Sequence, residues 1–79
     1  MPYRCYIIDD EPIAIDVIRA HLEKLDDFEA AGAFEDPIEA FEAQNREPAD
    51  LLFLDIEMPE LSGLELLRAL RRPVDVLLT

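Results

Sequence analysis

The chain has 79 residues, of which 51% are hydrophobic and 33% are charged, so it is long enough for one small domain and too apolar to be disordered. Its 19 acidic residues against 7 basic ones give a net charge of -12, which opposes binding to nucleic acids and anionic membranes and favours cations and basic surfaces. A single cysteine excludes an internal disulfide, and no apolar run could span a bilayer, so we expect a soluble cytoplasmic protein.

The first predicted unit is a strand and a helix joined by acidic residues. Tyr3 to Ile8 is aromatic, β-branched and apolar enough to be an interior strand. The acidic run Asp9-Asp10-Glu11 follows it directly. Pro12 suits the first turn of a helix of about fourteen residues. Helical spacing predicts that the apolar side of this helix contains Ile13, Val17, Ile18, Leu22 and Leu25.

The second unit repeats this pattern with weaker signals. Phe28 to Phe34 is predicted to be a strand, although its alanine-rich middle suits a strand only where a neighbouring residue packs closely. Asp36 and Pro37 predict the N-cap and the first residue of a second helix. Ile38 and Phe41 are expected on the apolar side of that helix.

The third unit contains the most informative stretch of the sequence. The run Leu51-Leu52-Phe53-Leu54 is too short for a helix and predicts a strand buried on both faces. Asp55 follows it directly. Ser62 and Glu65 predict the start of a third helix that ends at Pro73. Val74 to Thr79 is then predicted to be a fourth strand.

Regular alternation of strands and helices predicts a doubly wound α/β fold, with a parallel sheet, in a single domain covering residues 1–79. The commonest small arrangement has strand order 2-1-3-4, which makes the first and third strands neighbours. Asp9, Asp10 and Asp55 follow these two strands, so we expect them to meet at the carboxyl edge of the sheet. The alternative is an acidic edge that only ends the strands and faces water.

Three carboxylates that lie close together repel one another and raise one another's pKa unless a cation binds between them. Oxygen ligands without His or Cys favour Mg2+, which completes its coordination with water and phosphate oxygens. A carboxylate beside such an ion can act as the nucleophile in phosphoryl transfer. The pattern therefore favours a site at which Asp55 accepts a phosphoryl group.

Three motifs together resemble the receiver domain of bacterial two-component response regulators: Ile7-Ile8-Asp9-Asp10-Glu11-Pro12, Leu54-Asp55-Ile56-Glu57-Met58-Pro59 and Leu61-Ser62-Gly63. The resemblance covers the whole chain and implies a flavodoxin-like (CheY-like) fold and a sensor histidine kinase as phosphoryl donor. It implies that Asp55 is the phosphoacceptor, that Asp10 binds Mg2+ directly and Asp9 through water, and that the backbone carbonyl of Glu57 is a further ligand. The stretch from Asp55 to Leu67 is also similar to receivers joined to a LytTR-type DNA-binding domain.

The family's receivers are longer than this sequence and add a fourth helix, a fifth strand with a lysine that contacts the phosphoryl group, and a fifth helix. Without them we expect impaired switching, and a homodimer or larger oligomer through the uncovered edge at Val74 to Leu78. Thr79 is either the family's switch threonine or the residue before it. We expect a signalling phosphoacceptor rather than an enzyme. The competing functions are a magnesium-dependent phosphatase with an Asp nucleophile and a degenerate receiver that serves only as an interaction module.

Overall fold

The computed structural model describes residues 2–55, 68 and 74–78. In chain order the elements are β1 (Tyr3–Ile8), α1 (Pro12–Glu23), β2 (Phe28–Phe34), α2 (Pro37–Arg46), β3 (Leu51–Leu54) and β4 (Asp75–Leu78). The strands form one parallel sheet in the order β2-β1-β3-β4. This order confirms the predicted fold. Apart from Arg68, the predicted third helix lies outside the described residues.

The core has two layers because β1 and β3 are apolar on both faces of the sheet. One layer lies under α2 and its buried residues are Tyr6, Ile8, Ala40, Ala43, Ala49, Leu52 and Leu54. The other lies under α1 and its buried residues are Cys5, Ile7, Ile15 and Leu22. Burial on both faces is the pattern expected of interior parallel strands. Among the described helices, none is both long enough and apolar enough to cross a bilayer.

The predicted apolar side of α1 is partly wrong. Leu22 is buried as expected, and Ile18 packs against the same layer, but the other buried residue is Ile15. Ile13 and Val17 are 76% and 51% exposed. In a helix, Ile15, Ile18 and Leu22 fall on one stripe, whereas Ile13 lies about 200° around the axis from Ile15. The helix also ends at Glu23, so it has 12 residues rather than fourteen, and Leu25, which is 50% exposed, lies beyond it.

The second helix begins as its sequence predicts. The side chain of Asp36 accepts a hydrogen bond from the Ile38 backbone N–H at 2.9 Å, and Pro37 occupies the first turn. The Ile38 side chain, however, is 56% exposed. The prediction for that residue was wrong because the small residues Ala40 and Ala43 form the buried face of α2.

The alanine-rich strand β2 is accommodated by close packing, as the sequence required. Ala30 pairs with Cys5 and Gly32 pairs with Tyr6, so Ala31 is an extra residue that forms a bulge. A Cβ atom at Gly32 would lie 3.2 Å from the ring of Tyr6. The Tyr6 ring therefore occupies the space that a side chain at position 32 would take. This contact, together with the edge-on packing of Tyr6 against Phe34, attaches β2 to β1.

Candidate functional site

The carboxyl edge of the sheet brings the acidic ends of β1 and β3 together. In the parallel register Ile8 lies opposite Leu54, so the next residues, Asp9 and Asp55, are neighbours. The Asp55 backbone N–H donates to the Ile8 carbonyl at 3.0 Å, and the Asp9 N–H donates to the Phe34 carbonyl at 3.0 Å. Each acidic residue is therefore attached through its backbone to the end of the adjacent strand.

The side chain of Asp9 is held by the turn that leads into α1. Asp9 is only 6% exposed, and its Oδ1 atom accepts a hydrogen bond from the Glu11 backbone N–H at 2.9 Å. This contact is an Asx turn, in which a short side chain takes the place of a backbone acceptor. It fixes the orientation of the carboxylate before any ligand binds.

The three acidic side chains predicted for the site do converge. One carboxylate oxygen from each of Asp9, Asp10 and Asp55 lies within 4.8 Å of the others. Asp9 is buried, Asp55 is half-buried and Asp10 is exposed. Carboxylates are the hard oxygen ligands that Mg2+ prefers, and a site open on one side leaves room for water and phosphate oxygens. The donor set therefore fits Mg2+.

The electrostatics of the cluster are those of charges that are crowded and partly removed from water. Burial raises the pKa of Asp9, and the negative charges of Asp55 and Asp10 raise it further. The hydrogen bond from Glu11 acts in the opposite direction because it favours the charged form. A divalent cation would relieve both the repulsion and the cost of burial.

The other residues singled out from the sequence lie apart from this cluster or outside the described residues. Glu57 and Thr79 lie outside them. His21 is exposed, and its Nδ1 atom lies 2.8 Å from the Val17 carbonyl on the same helix, so it is a helix-surface residue. Cys5 is fully buried, and burial raises the pKa of its thiol. It is a small core residue.

Sequence reasoning missed two backbone groups that support the site. The Glu11 N–H orients Asp9, and the Phe34 carbonyl holds the Asp9 backbone. The first could have been anticipated, because an Asp side chain in a turn commonly accepts a hydrogen bond from the backbone N–H two residues further on. The second depends on a contact between distant segments, for which the sequence has no local signal.

The raised pKa of Asp9 predicts how stability depends on pH in the absence of metal. A carboxyl group whose pKa is raised by folding holds its proton more tightly in the folded chain than in the unfolded chain. Its contribution is complete below the unfolded pKa and is lost as the pH rises through the folded pKa. As the pH rises above about 4, the ordinary pKa of an Asp carboxyl, we expect the free energy of unfolding in chelator to fall more steeply for the wild type than for Asp9→Asn. Urea unfolding of both proteins provides the comparison, and parallel curves would contradict the prediction.

The strand order and the acidic carboxyl edge are those of a CheY-like receiver domain. The family model described as response regulator receiver domain matches residues 5–78. This chain therefore belongs to the response regulator receiver family of two-component systems.

Individual relatives agree with this assignment. The chain is 43% identical over 76 residues to the transcriptional regulatory protein BtsR of Salmonella typhi, covering 92% of this chain and 32% of that protein. It is 38% identical over 72 residues to a protein-glutamate methylesterase/protein-glutamine glutaminase of Thiobacillus denitrificans, covering 91% of this chain and 20% of that protein. The response regulator domain of Thermotoga maritima CheB superposes with a TM-score of 0.90 at 28% identity, covering 99% of this chain and 60% of that one. The chain thus spans a third or less of the curated relatives it matches here.

Proposed function

We propose that this chain is the phosphoacceptor module of a two-component response regulator, in which Asp55 receives a phosphoryl group from the phosphohistidine of a sensor histidine kinase. The observation that carries the proposal is the convergence of Asp9, Asp10 and Asp55, with carboxylate oxygens within 4.8 Å, at the carboxyl edge of the sheet. Membership of the receiver family supports it.

Each residue of the site has its own role in the proposed reaction. A carboxylate oxygen of Asp55 attacks phosphorus while the phosphorus–nitrogen bond of the donor breaks, and the electron pair of that bond goes to the imidazole nitrogen. Asp10 and Asp55 would hold Mg2+ directly, Asp9 through water, and Glu57 through its backbone carbonyl. When bound, Mg2+ neutralises negative charge on the phosphoryl oxygens. Because the Glu11 N–H already holds Asp9, that carboxylate needs little rearrangement to take part.

Several finer assignments belong to the same proposal. Thr79 is assigned as the switch residue or the residue directly before it, and the parent protein is assigned a LytTR-type effector domain. The segment acts in the cytoplasm and does not itself bind nucleic acid, for which a net charge of -12 is unsuited. It is a single domain. It is also assigned as not an enzyme, because the match covers only 20% of the methylesterase relative and leaves the remaining four fifths of that protein to account for any esterase activity.

Incubation of the chain with a small-molecule phosphodonor and Mg2+ distinguishes the candidate functions. A receiver gains the mass of one phosphoryl group, and the product is labile to hydroxylamine, as an acyl phosphate is. A phosphatase with an Asp nucleophile instead releases inorganic phosphate over many turnovers. An unmodified chain that is fully folded would overturn the proposal in favour of a module that serves only for interaction.

The exposed edge of the sheet supports self-association as part of the proposal. The described residues place β3 along one side of β4 and no strand along the other. Leu77 and Leu78, each 51% exposed, lie beside Phe53 and Leu54 on opposite faces of the sheet. A second copy, related by a two-fold axis, would pair β4 with β4 and bury both leucines of each chain. Repulsion between the acidic chains opposes this, but salt screens it beyond about 8 Å.

We expect the wild type to form dimers or larger oligomers at high micromolar concentration and Leu77→Lys to remain monomeric. Leu77 is a better position for a charge than Val76, because Val76 packs against the core. Light scattering over a range of concentrations measures the difference, with Ile13→Lys as a control at another exposed apolar residue. Equal masses for the wild type and Leu77→Lys would contradict pairing through this edge.

A further inference from the structure

Asp55 directly follows β3, and the hydrophobic pattern of β3 does not determine the register in which this strand pairs with β1. All four residues of β3 are apolar, with Leu52 and Leu54 buried against one layer and Leu51 and Phe53 packed against the other. A shift by one residue would still place apolar side chains on both faces. It would nevertheless move Asp55 about 3.3 Å along the strand and turn its side chain to the other face of the sheet.

A buried glutamine holds the chain just before β3. Gln44, on α2, is 5% exposed. Its Nε2 atom donates to the Ala49 carbonyl at 3.2 Å, and its Oε1 atom accepts from the Ala49 N–H at 2.9 Å. Both polar groups of the side chain are therefore bound to the backbone of one residue. A shifted chain would leave a buried amide without these partners, which is costly.

A second pair of hydrogen bonds holds the next residue against β1. The Asp50 N–H donates to the Arg4 carbonyl at 2.8 Å, and the Asp50 carboxylate accepts from the Arg4 N–H at 2.9 Å. These bonds come one residue before the first pair of the β1–β3 register, Cys5 with Leu51. The Tyr6 hydroxyl also donates to the Glu47 carbonyl in the same loop. The connection from α2 to β3 is thus bound to β1 at several points.

We propose that Gln44 and Asp50 are positioning residues for Asp55. Together they set the register of β3 on β1 at the amino end of the strand. Because β3 is extended, the register set at Leu51 also determines which residues lie opposite one another at its carboxyl end. Asp55, four residues after Leu51, is thereby placed beside Asp9. The role assigned to Asp55 rests on the proposed function, whereas the control of register does not depend on it.

The experiment combines a measurement of register with a measurement of the site. The double variant Gln44→Met/Asp50→Ala removes the side-chain hydrogen bonds while keeping a side chain of similar length at position 44. Backbone NOEs between Cys5 and Leu51 and between Ile8 and Leu54 report the native register, and Mg2+ titration of the Asp9 and Asp55 amide signals reports the site. We expect a second set of NOEs that reports a shift by one residue, from Cys5 either to Leu52 or to the substituted position 50. We also expect the Mg2+ affinity to be weaker by about tenfold or more.

Two further proteins separate positioning from general stability. Ala43→Gly destabilises the same helix at a buried residue and is expected to keep the native NOEs and the wild-type Mg2+ affinity. The single variant Asp50→Asn, with Gln44 unchanged, retains an acceptor oxygen at position 50. It is therefore expected to show the native NOEs and the wild-type Mg2+ affinity. If the double variant does not fold, Gln44→Met alone is measured in the same way.

The outcomes are distinguishable. Native NOEs and wild-type Mg2+ affinity in the folded double variant, or in Gln44→Met where that protein is used, would overturn the inference. A wild type that shows the native NOEs but binds no Mg2+, beside a double variant with a second register, would overturn the proposed function and leave the control of register standing.

Discussion

Asp55→Asn is expected to abolish acceptance of a phosphoryl group from a small phosphodonor in the presence of Mg2+. A carboxamide lacks the anionic oxygen that attacks phosphorus, so no acyl phosphate can form at this position. Asp9 is buried and already accepts a hydrogen bond from Glu11, which makes it a poor substitute nucleophile. Intact-mass measurement of the chain before and after incubation gives the modified fraction directly.

The matched control for this variant is Asp16→Asn, which removes the same charge from an exposed position on α1. It should be phosphorylated to the same extent as the wild type. Equal modification of Asp55→Asn and the wild type would show that another side chain accepts the phosphoryl group. Peptide mapping would then identify that residue, and the assignment of Asp55 would be wrong.

Leu52→Ala is expected to remove a large fraction of the stability of the chain. Leu52 is 1% exposed in the interior strand β3, and truncating a buried leucine costs about 2–5 kcal/mol. A domain of this size has a free energy of unfolding on the order of 4–12 kcal/mol. Urea denaturation should therefore show a much lower midpoint for the variant, with part of the population unfolded in buffer if the starting stability is at the low end.

Leu77→Ala provides the comparison, because the same atoms are removed from a side chain that is 51% exposed. Its expected cost is less than half that of Leu52→Ala, since much of the side chain is already in water. The comparison is made at low protein concentration so that self-association through β4 does not contribute. Similar costs at the two positions would contradict the two-layer core.

The parts of the fold that could be predicted are those whose signals are local. Each of β1 and β3 is a short apolar run followed directly by Asp, and the alternation of strands with helices predicted that the sheet is parallel. The positions of Asp9 and Asp55 followed from the rule that ligand sites form at the carboxyl ends of parallel strands. The N-cap of α2 at Asp36 was likewise visible in the sequence, because a capping residue acts on its immediate neighbours.

The errors arose where local pattern is ambiguous or where distant segments meet. The stretch from Ile13 to Ile18 is apolar at almost every position, so spacing alone did not identify Ile15 as the buried residue. The bulge at Ala31 depends on how β2 packs against Tyr6. The contacts of Gln44 with Ala49 depend on where α2 directs the chain. None of these has a signature in the residues nearby.

The central claim, that the carboxyl edge holds a divalent cation for phosphoryl transfer to Asp55, is tested most directly by Mg2+ titration of the amide signals of residues 8–11 and 55. For the wild type and Asp16→Asn we expect saturable shifts of these signals. Asp10→Asn should bind at least about tenfold more weakly, since loss of even an outer partner of a metal site has an effect of this size. Shifts in Asp10→Asn that match those of the wild type, or no shifts in the wild type, would contradict the claim.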